Sequence, residues 1–197
     1  QVPPTAMSVR SRRSRLLVQG VSGLMFAATA VHFGAAWVLP AYLVFFTSLL
    51  AISVIDLDYQ IIPNRIIYPT IFVSVPLLAA AAALDGSWGH LRGALIGAVL
   101  AWGALFAVHL ISPGGMGFGD VRLSFVLGLF LGWTGLTNVL IGLFLGFLLG
   151  AFIGLALIAL HLRTRNDHIP FGPFLAAGAA LAVFFGGSIG HWWLPGA

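Results

Sequence analysis

The amino-acid sequence predicts an all-α fold, a polytopic membrane bundle of about seven transmembrane helices. Three observations carry that prediction. Of 197 residues, 60% are hydrophobic and only 7% are charged, and the mean hydropathy is +1.05; soluble domains carry about 25% charged residues. Apolar runs recur at roughly the twenty-residue length that crosses a bilayer. The arginines, finally, fall almost entirely on one side of those runs, as the positive-inside rule requires.

The apolar runs are Leu16–Phe33, Trp37–Ile55, Ile66–Leu84, Gly93–Ile111, Val121–Leu131, Leu136–Leu160 and Phe174–Ile189. The fifth is short. Extended back to about Gly119, it takes Asp120 into its first turn; the alternative is a half-helix or re-entrant segment, which needs protein or water around its backbone. Residues 1–15 form a basic segment ahead of the first run, and residues 16–197 form one membrane-embedded domain without a long repeat. The first residues are polar and then arginine-rich, which does not fit a cleavable signal peptide.

Orientation follows from charge. With the N-terminus inside, Arg10, Arg12, Arg13, Arg15, Arg65, Arg122, Arg163 and Arg165 lie on the cytoplasmic side and Arg92 alone lies outside. Trp37, Trp88, Trp133, Trp192 and Trp193 then gather at the outer interface as an aromatic belt. The charge pattern implies a multi-pass membrane protein with the lipid bilayer itself as a partner. The net charge of +4 reflects this topology rather than nucleic-acid binding.

Composition also removes chemistries. There is no cysteine, hence no disulfide and no thiolate metal ligand. There is no glutamate, so no His-Glu-x-x-His metalloprotease motif. The six histidines are scattered, and His109 and His168 read as packing or interface residues. No metal or cofactor is expected.

Glycine marks where helices touch. Gly142, Gly146, Gly150 and Gly154 recur every fourth residue and read as a packing groove. Asp120, Ser124, Gly128 and Gly132 share one face by the same spacing, and that face is expected to meet protein rather than lipid.

The chain has five acidic residues, all aspartates. Asp56 lies in SVIDLDYQIIPNR, where an apolar run ends on a polar turn; Pro63 biases Ile62 toward extended backbone, and Asn64 suits the cap of the third helix. Asp120 lies in PGGMGFGDVRL, where a glycine-rich loop opens into the next run. Asp56 and Asp58 could be solvated residues at a helix end, but a negative charge at a helix C-terminus is disfavoured. Asp120 could be a simple N-terminal cap. Placed at one depth, the two invite a different assignment. Two close carboxylates share one proton because both cannot ionise cheaply, and such a pair activates water against a peptide bond. Gly114, Gly115, Gly117 and Gly119 make the loop from Pro113 to Gly119 permissive in backbone angle and short of side chains, as a chain-docking loop requires.

The stretch IDLDYQIIPN, followed by GFGD and then by HIPFGPFLAAGA from His168 to Ala179, resembles the prepilin peptidases, membrane aspartic proteases of the Gly-x-Gly-Asp type. The resemblance runs from about Leu16 to the last helix. It implies a presenilin-like aspartic protease fold, with Asp56 and Asp120 as the catalytic pair and Asp58, Pro63, Asn64, Gly117, Gly119 and Arg122 in support. It also implies a prepilin or pseudopilin substrate, cut after a glycine where a basic leader meets an apolar helix, and the inner (plasma) membrane as the location. Larger bacterial members carry paired Cys-x-x-Cys motifs and methylate the new N-terminus; in a cysteine-free chain neither that activity nor a zinc site is expected.

Two other function classes compete. Gly20-Val21-Ser22-Gly23 matches the Gly-x-Ser-Gly of rhomboid serine proteases, but Ser22 needs a histidine partner and His32 is expected near the opposite face. A transporter or channel could use Asp56 and Asp120 for ions, since acidic groups in membrane segments are functional by default. It would not account for a polar turn and a glycine-rich loop at one membrane edge.

Overall fold

Seven helices follow one another along the chain: α1 (Pro4–Phe33), α2 (Leu39–Tyr59), α3 (Asn64–Asp85), α4 (Trp88–Ile111), α5 (Phe118–Thr134), α6 (Leu136–Ala159) and α7 (Gly172–Trp193). They are seen in a computed structural model that describes residues 4–111, 116–161 and 170–193, with side chains over 16–111, 116–161 and 170–188. Among the described residues there is no strand. Five helices are long and apolar enough to cross a bilayer: α1 from Leu16, α2, α3, α4 and α6. α5 has 17 residues, and Gly172–Ser188 of α7 is a further short apolar stretch. The protein is a multi-pass helical membrane bundle.

The short fifth run is a continuous helix, and its environment accounts for its length. α5 packs on α2, α3, α4, α6 and α7, and its side chains from Val126 to Trp133 are all buried. A helix enclosed by protein is apolar all round and need not match the lipid thickness. The periphery is different. α1 buries only Thr29 among its described side chains, and its apolar residues face outward.

Two glycine seams hold the bundle tight. α4 and α5 run antiparallel with Gly93 against Gly132 and Gly97 against Gly128; a Cβ added at Gly97 would lie 2.5 Å from the Gly128 carbonyl oxygen, and one at Gly93 would lie 2.6 Å from that of Gly132. α6 and α7 do the same. A Cβ at Gly146 would lie 3.0 Å from the Leu175 Cα, and one at Gly178 would lie 2.5 Å from the Gly142 oxygen. Close backbone approach gains dispersion contact, which drives helix association where lipid removes the hydrophobic term. The expected faces of α5 and α6 therefore do meet protein.

Several boundaries differ from the sequence-based expectation, for local reasons. α1 begins at Pro4 rather than Leu16, so the arginine-rich segment from residue 4 is helical and continuous with the first apolar run. α4 begins at Trp88 rather than Gly93, because Gly89, His90 and Arg92 hide a helical turn within a polar stretch. Asn64 is not the cap of α3. The cap position is Pro63, in extended backbone (φ −78°, ψ 125°), and no side chain caps the helix. Trp37 and Trp88 are exposed as a belt requires, but Trp133 is only 6% exposed and packs edge-on against His90. The side chains of Trp192 and Trp193, and residues Arg163, Arg165 and His168, lie outside the described residues.

The α4–α5 seam makes a direct prediction. Gly128→Val should destabilise the protein by about 1–3 kcal/mol through overpacking, seen as a lower thermal unfolding midpoint in detergent. Gly103→Ala, on the same helix pair but with open space around its Cβ position, should leave the midpoint unchanged or slightly raised. Equal midpoints for Gly128→Val and wild type would show that the seam is not tight.

Candidate active site

Three helical hairpins end at the same pole of the bundle: α2–α3, α4–α5 and α6–α7. Each brings one part of a site. α2 brings Asp56 in its last turn, α5 brings Asp120 in its first turn, and α7 brings the amide of Gly172, its first residue.

Asp56 is 4% exposed, at the C-terminal end of its own helix, where the dipole opposes a negative charge. The fold answers this with a second helix. The Gly172 N–H donates to Asp56 Oδ2 at 2.9 Å, so the carboxylate rests on the N-terminal, positive end of α7. α2 stops here because Gln60 turns left-handed (φ 55°, ψ 35°) and its N–H closes onto the Asp56 carbonyl oxygen.

Asp120 is the third residue of α5 and is 7% exposed. It is not the helix cap; that position is Gly117, and no side chain caps the helix. Asp120 Oδ2 faces Gly117, where an added Cβ would lie 3.3 Å away. Oδ1 is buried and has no hydrogen-bond partner among the described residues. The two carboxylates thus sit at two helix N-termini and within electrostatic reach of each other.

Ile62 holds the three hairpins in register. A Cβ on Gly119 would lie 2.9 Å from the Ile62 Cβ, and one on Gly172 would lie 3.5 Å from its Cδ1 and 2.8 Å from Asp56 Oδ2. The side chain is a wedge between the starts of α5 and α7, and glycine is the residue that leaves room for it at both. Gly119 thus makes room for Ile62, and Gly117 lies against Asp120 Oδ2. Gly172 was the residue whose role the sequence did not disclose; the signal available was Gly172-Pro173 after the polar α6–α7 connection, a helix start with little bulk.

The supporting residues divide. Arg122 donates from Nη1 to Asn64 Oδ1 at 2.7 Å, and its guanidinium stands 4.6 Å above the Phe118 ring. That contact ties the second turn of α5 to the first turn of α3, and it gives Asn64 a partner in place of capping. Arg122 forms no ion pair with either aspartate among the described residues. Asp58 is exposed and is not brought to the pair. His109 fastens the loop before α5 through Nδ1 and the Met116 carbonyl oxygen, 2.9 Å apart, and packs on Phe118. Gly114 and Gly115 of that loop lie outside the described residues. Ser22 sits on α1, whose neighbouring Gly20 and Gly23 face open space, while the His32 ring packs against Phe33 and Phe184. No serine–histidine pair forms there. Among the described residues no three His, Cys, Asp or Glu gather as a metal site.

Comparison with known proteins follows this geometry. Residues 43–159 match the model of the type IV leader peptidase family, a stretch that contains both Asp56 and Asp120. The chain is 34% identical over 181 residues to a prepilin leader peptidase/N-methyltransferase of Aeromonas hydrophila, covering 90% of this chain and 60% of that protein. It is 35% identical over 172 residues to the protein of the same name from Bacillus subtilis strain 168, covering 86% and 65%. A Pseudomonas aeruginosa protein of that name is 32% identical over 176 residues, covering 88% and 59%. The chain thus spans about 60% of the length of the curated relatives it matches. No solved structure matches it. The family match over more than half of the sequence, with both buried aspartates inside it, shows that this chain belongs to the type IV leader peptidase family.

Proposed function

We propose that this chain is an aspartic endopeptidase that cuts the leader from type IV prepilin or pseudopilin precursors, acting at the cytoplasmic face of the inner membrane. The observation that supports this most is the burial of two electrostatically interacting aspartates at one pole, each at a helix N-terminus. The relatives' name supplies the substrate class, and the proposal covers the peptidase half of that name.

In this proposal the two carboxylates take different roles. Asp56 Oδ2 accepts an amide hydrogen, which favours the ionised form, so Asp56 takes a proton from the attacking water. Asp120 Oδ1, with no partner among the described residues, carries the shared proton and donates it toward the scissile carbonyl oxygen. Water adds to the carbonyl carbon, the C–N bond then breaks, and the proton held on Asp56 passes to the leaving amine. At the bilayer edge the site reaches water while an apolar substrate helix stays in lipid.

The face is argued from charge. Arg65 and Arg122 lie at the pole of the dyad, and Arg163 and Arg165 fall in sequence between α6 and α7. Arg92 lies near the α3–α4 connection, at the opposite pole. By the positive-inside rule this supports a dyad facing the cytoplasm.

Three outcomes are expected. Asp56→Asn and Asp120→Asn should each lower turnover of a prepilin-like peptide at least about a thousandfold, with far less than additive loss in the double variant. Asp58→Asn should cost no more than a few-fold and Ser22→Ala nothing; turnover near wild type in either dyad variant, with the fold intact, would remove the dyad. The rate should follow a bell-shaped pH profile. Below the first deprotonation of the pair there is no base, and above the second there is no acid. A rate that climbs through the acid range and never falls on the alkaline side would contradict a shared proton. Phe118→Cys, the sole thiol in this cysteine-free chain, should react with a membrane-impermeant reagent only from the cytoplasmic side, and substrate should protect it. Reaction from outside would overturn the orientation.

A further inference from the structure

Between α2 and α3 the chain leaves backbone unpaired beside two catalytic carboxylates. The Gln60 amide closes α2 onto the Asp56 carbonyl, and the Pro63 carbonyl accepts from Ile66 and Ile67 as α3 begins. Ile61 and Ile62 lie between. Among the described residues neither the N–H nor the C=O of either has a hydrogen-bond partner. Ile62 precedes a proline, which biases it to extended backbone, and Ile61 is 63% exposed. Backbone groups in folded proteins are paired in more than nine cases in ten. Unpaired groups at a membrane edge have either water or a second chain to bind.

This stretch is also held rigid. The Ile62 side chain is wedged between Gly119 and Gly172, at the starts of the two helices that carry the site. An anchored, unpaired segment biased toward extended backbone has the makings of a sheet edge, and added strands bind such edges through main-chain hydrogen bonds. Resting on the peptidase reading above, we infer that Ile61–Ile62 is the docking edge for substrate. An extended stretch of the peptide lies antiparallel along it, exchanges one N–H···O=C pair in each direction with one of these residues, and so sets the scissile carbonyl between Asp56 and Asp120. An α-helical peptide has its amides and carbonyls bonded internally and cannot pair in this way. The edge therefore selects the point at which the substrate chain is not helical, and recognises it by backbone rather than by side chain.

Two measurements on the full chain in detergent test this. The first uses a synthetic peptide with a basic leader, a glycine and an apolar helix, in which single amides around the cut, other than the scissile one, are replaced by esters. Each ester removes one N–H and keeps the shape of the chain. One replacement should lower kcat/KM by roughly tenfold while those on either side of it stay within about twofold. The second uses Ile61→Cys in the Asp56→Asn background with single-cysteine peptides. Disulfides should form at alternate peptide positions, the period of an extended chain. Uniform tolerance of all esters, or disulfides spaced by three and four residues, would overturn the docking edge while leaving an aspartate-dependent peptidase intact. Failure to cut the parent peptide would instead overturn the peptidase reading, and this inference with it.

Discussion

The carboxylate of Asp56 accepts an amide hydrogen from the first residue of α7, and the rest of the structure is arranged around that bond. A carboxylate at the C-terminal end of its own helix and 4% exposed is in an unfavourable place twice over. No arginine relieves it among the described residues. Relief comes from the amide and the positive end of α7, a partner that stabilises a negative charge without contributing a full positive one. The distinction matters for chemistry. A neighbouring guanidinium would favour the ionised form of both aspartates, whereas a helix end does so more weakly and leaves room for the shared proton that the proposed mechanism uses.

Holding two helix N-termini against one carboxylate pair at this precision needs rigid supports, and the glycine seams provide them. α5 is locked to α4 through Gly93, Gly97, Gly128 and Gly132, and α7 to α6 through Gly142, Gly146 and Gly178. Each hairpin behaves as one body, so the relative position of Asp120 and Gly172 is set where the bodies meet. Ile62 lies at one such meeting point, with Gly119 and Gly172 on either side of it. Tyr42 adds a further tie at depth, donating its hydroxyl hydrogen to the Phe130 carbonyl oxygen at 2.8 Å and so joining α2 to α5. The lack of side chains at Gly117, Gly119 and Gly172 serves two ends together: helix ends come close, and the carboxylates are reached by backbone alone.

Much of this could be read from the residues in order. The helical membrane class follows from run length, because a bilayer imposes a length on every span. Asp56 and Asp120 stand out because a charge flanked by Ile and Leu, or by glycines ahead of an apolar run, has no bland explanation that fits both. The ends of α4 and α5 were less legible. Trp88 to Arg92 is polar enough to pass for a loop, and α5 is enclosed, so its pattern carries no one-sided stripe. Asn64 looked like a cap because Asn is a good one; its amide is taken by Arg122, which lies 58 positions away and could not be paired with it by spacing. Gly172 was hidden for the same reason, being 116 positions from Asp56. Local chemistry is written in neighbouring residues, and a contact between distant ones is not.

The most direct measurement is turnover of a prepilin-like peptide by Gly172→Ala, with the thermal unfolding midpoint recorded on the same preparation. The added methyl group would lie 2.8 Å from Asp56 Oδ2 and must push the carboxylate off the α7 amide. If the account is right, turnover falls nearly as far as in Asp56→Asn while the midpoint moves by only a few degrees. Turnover close to wild type would contradict it, because the dyad would then work without the helix end that holds it.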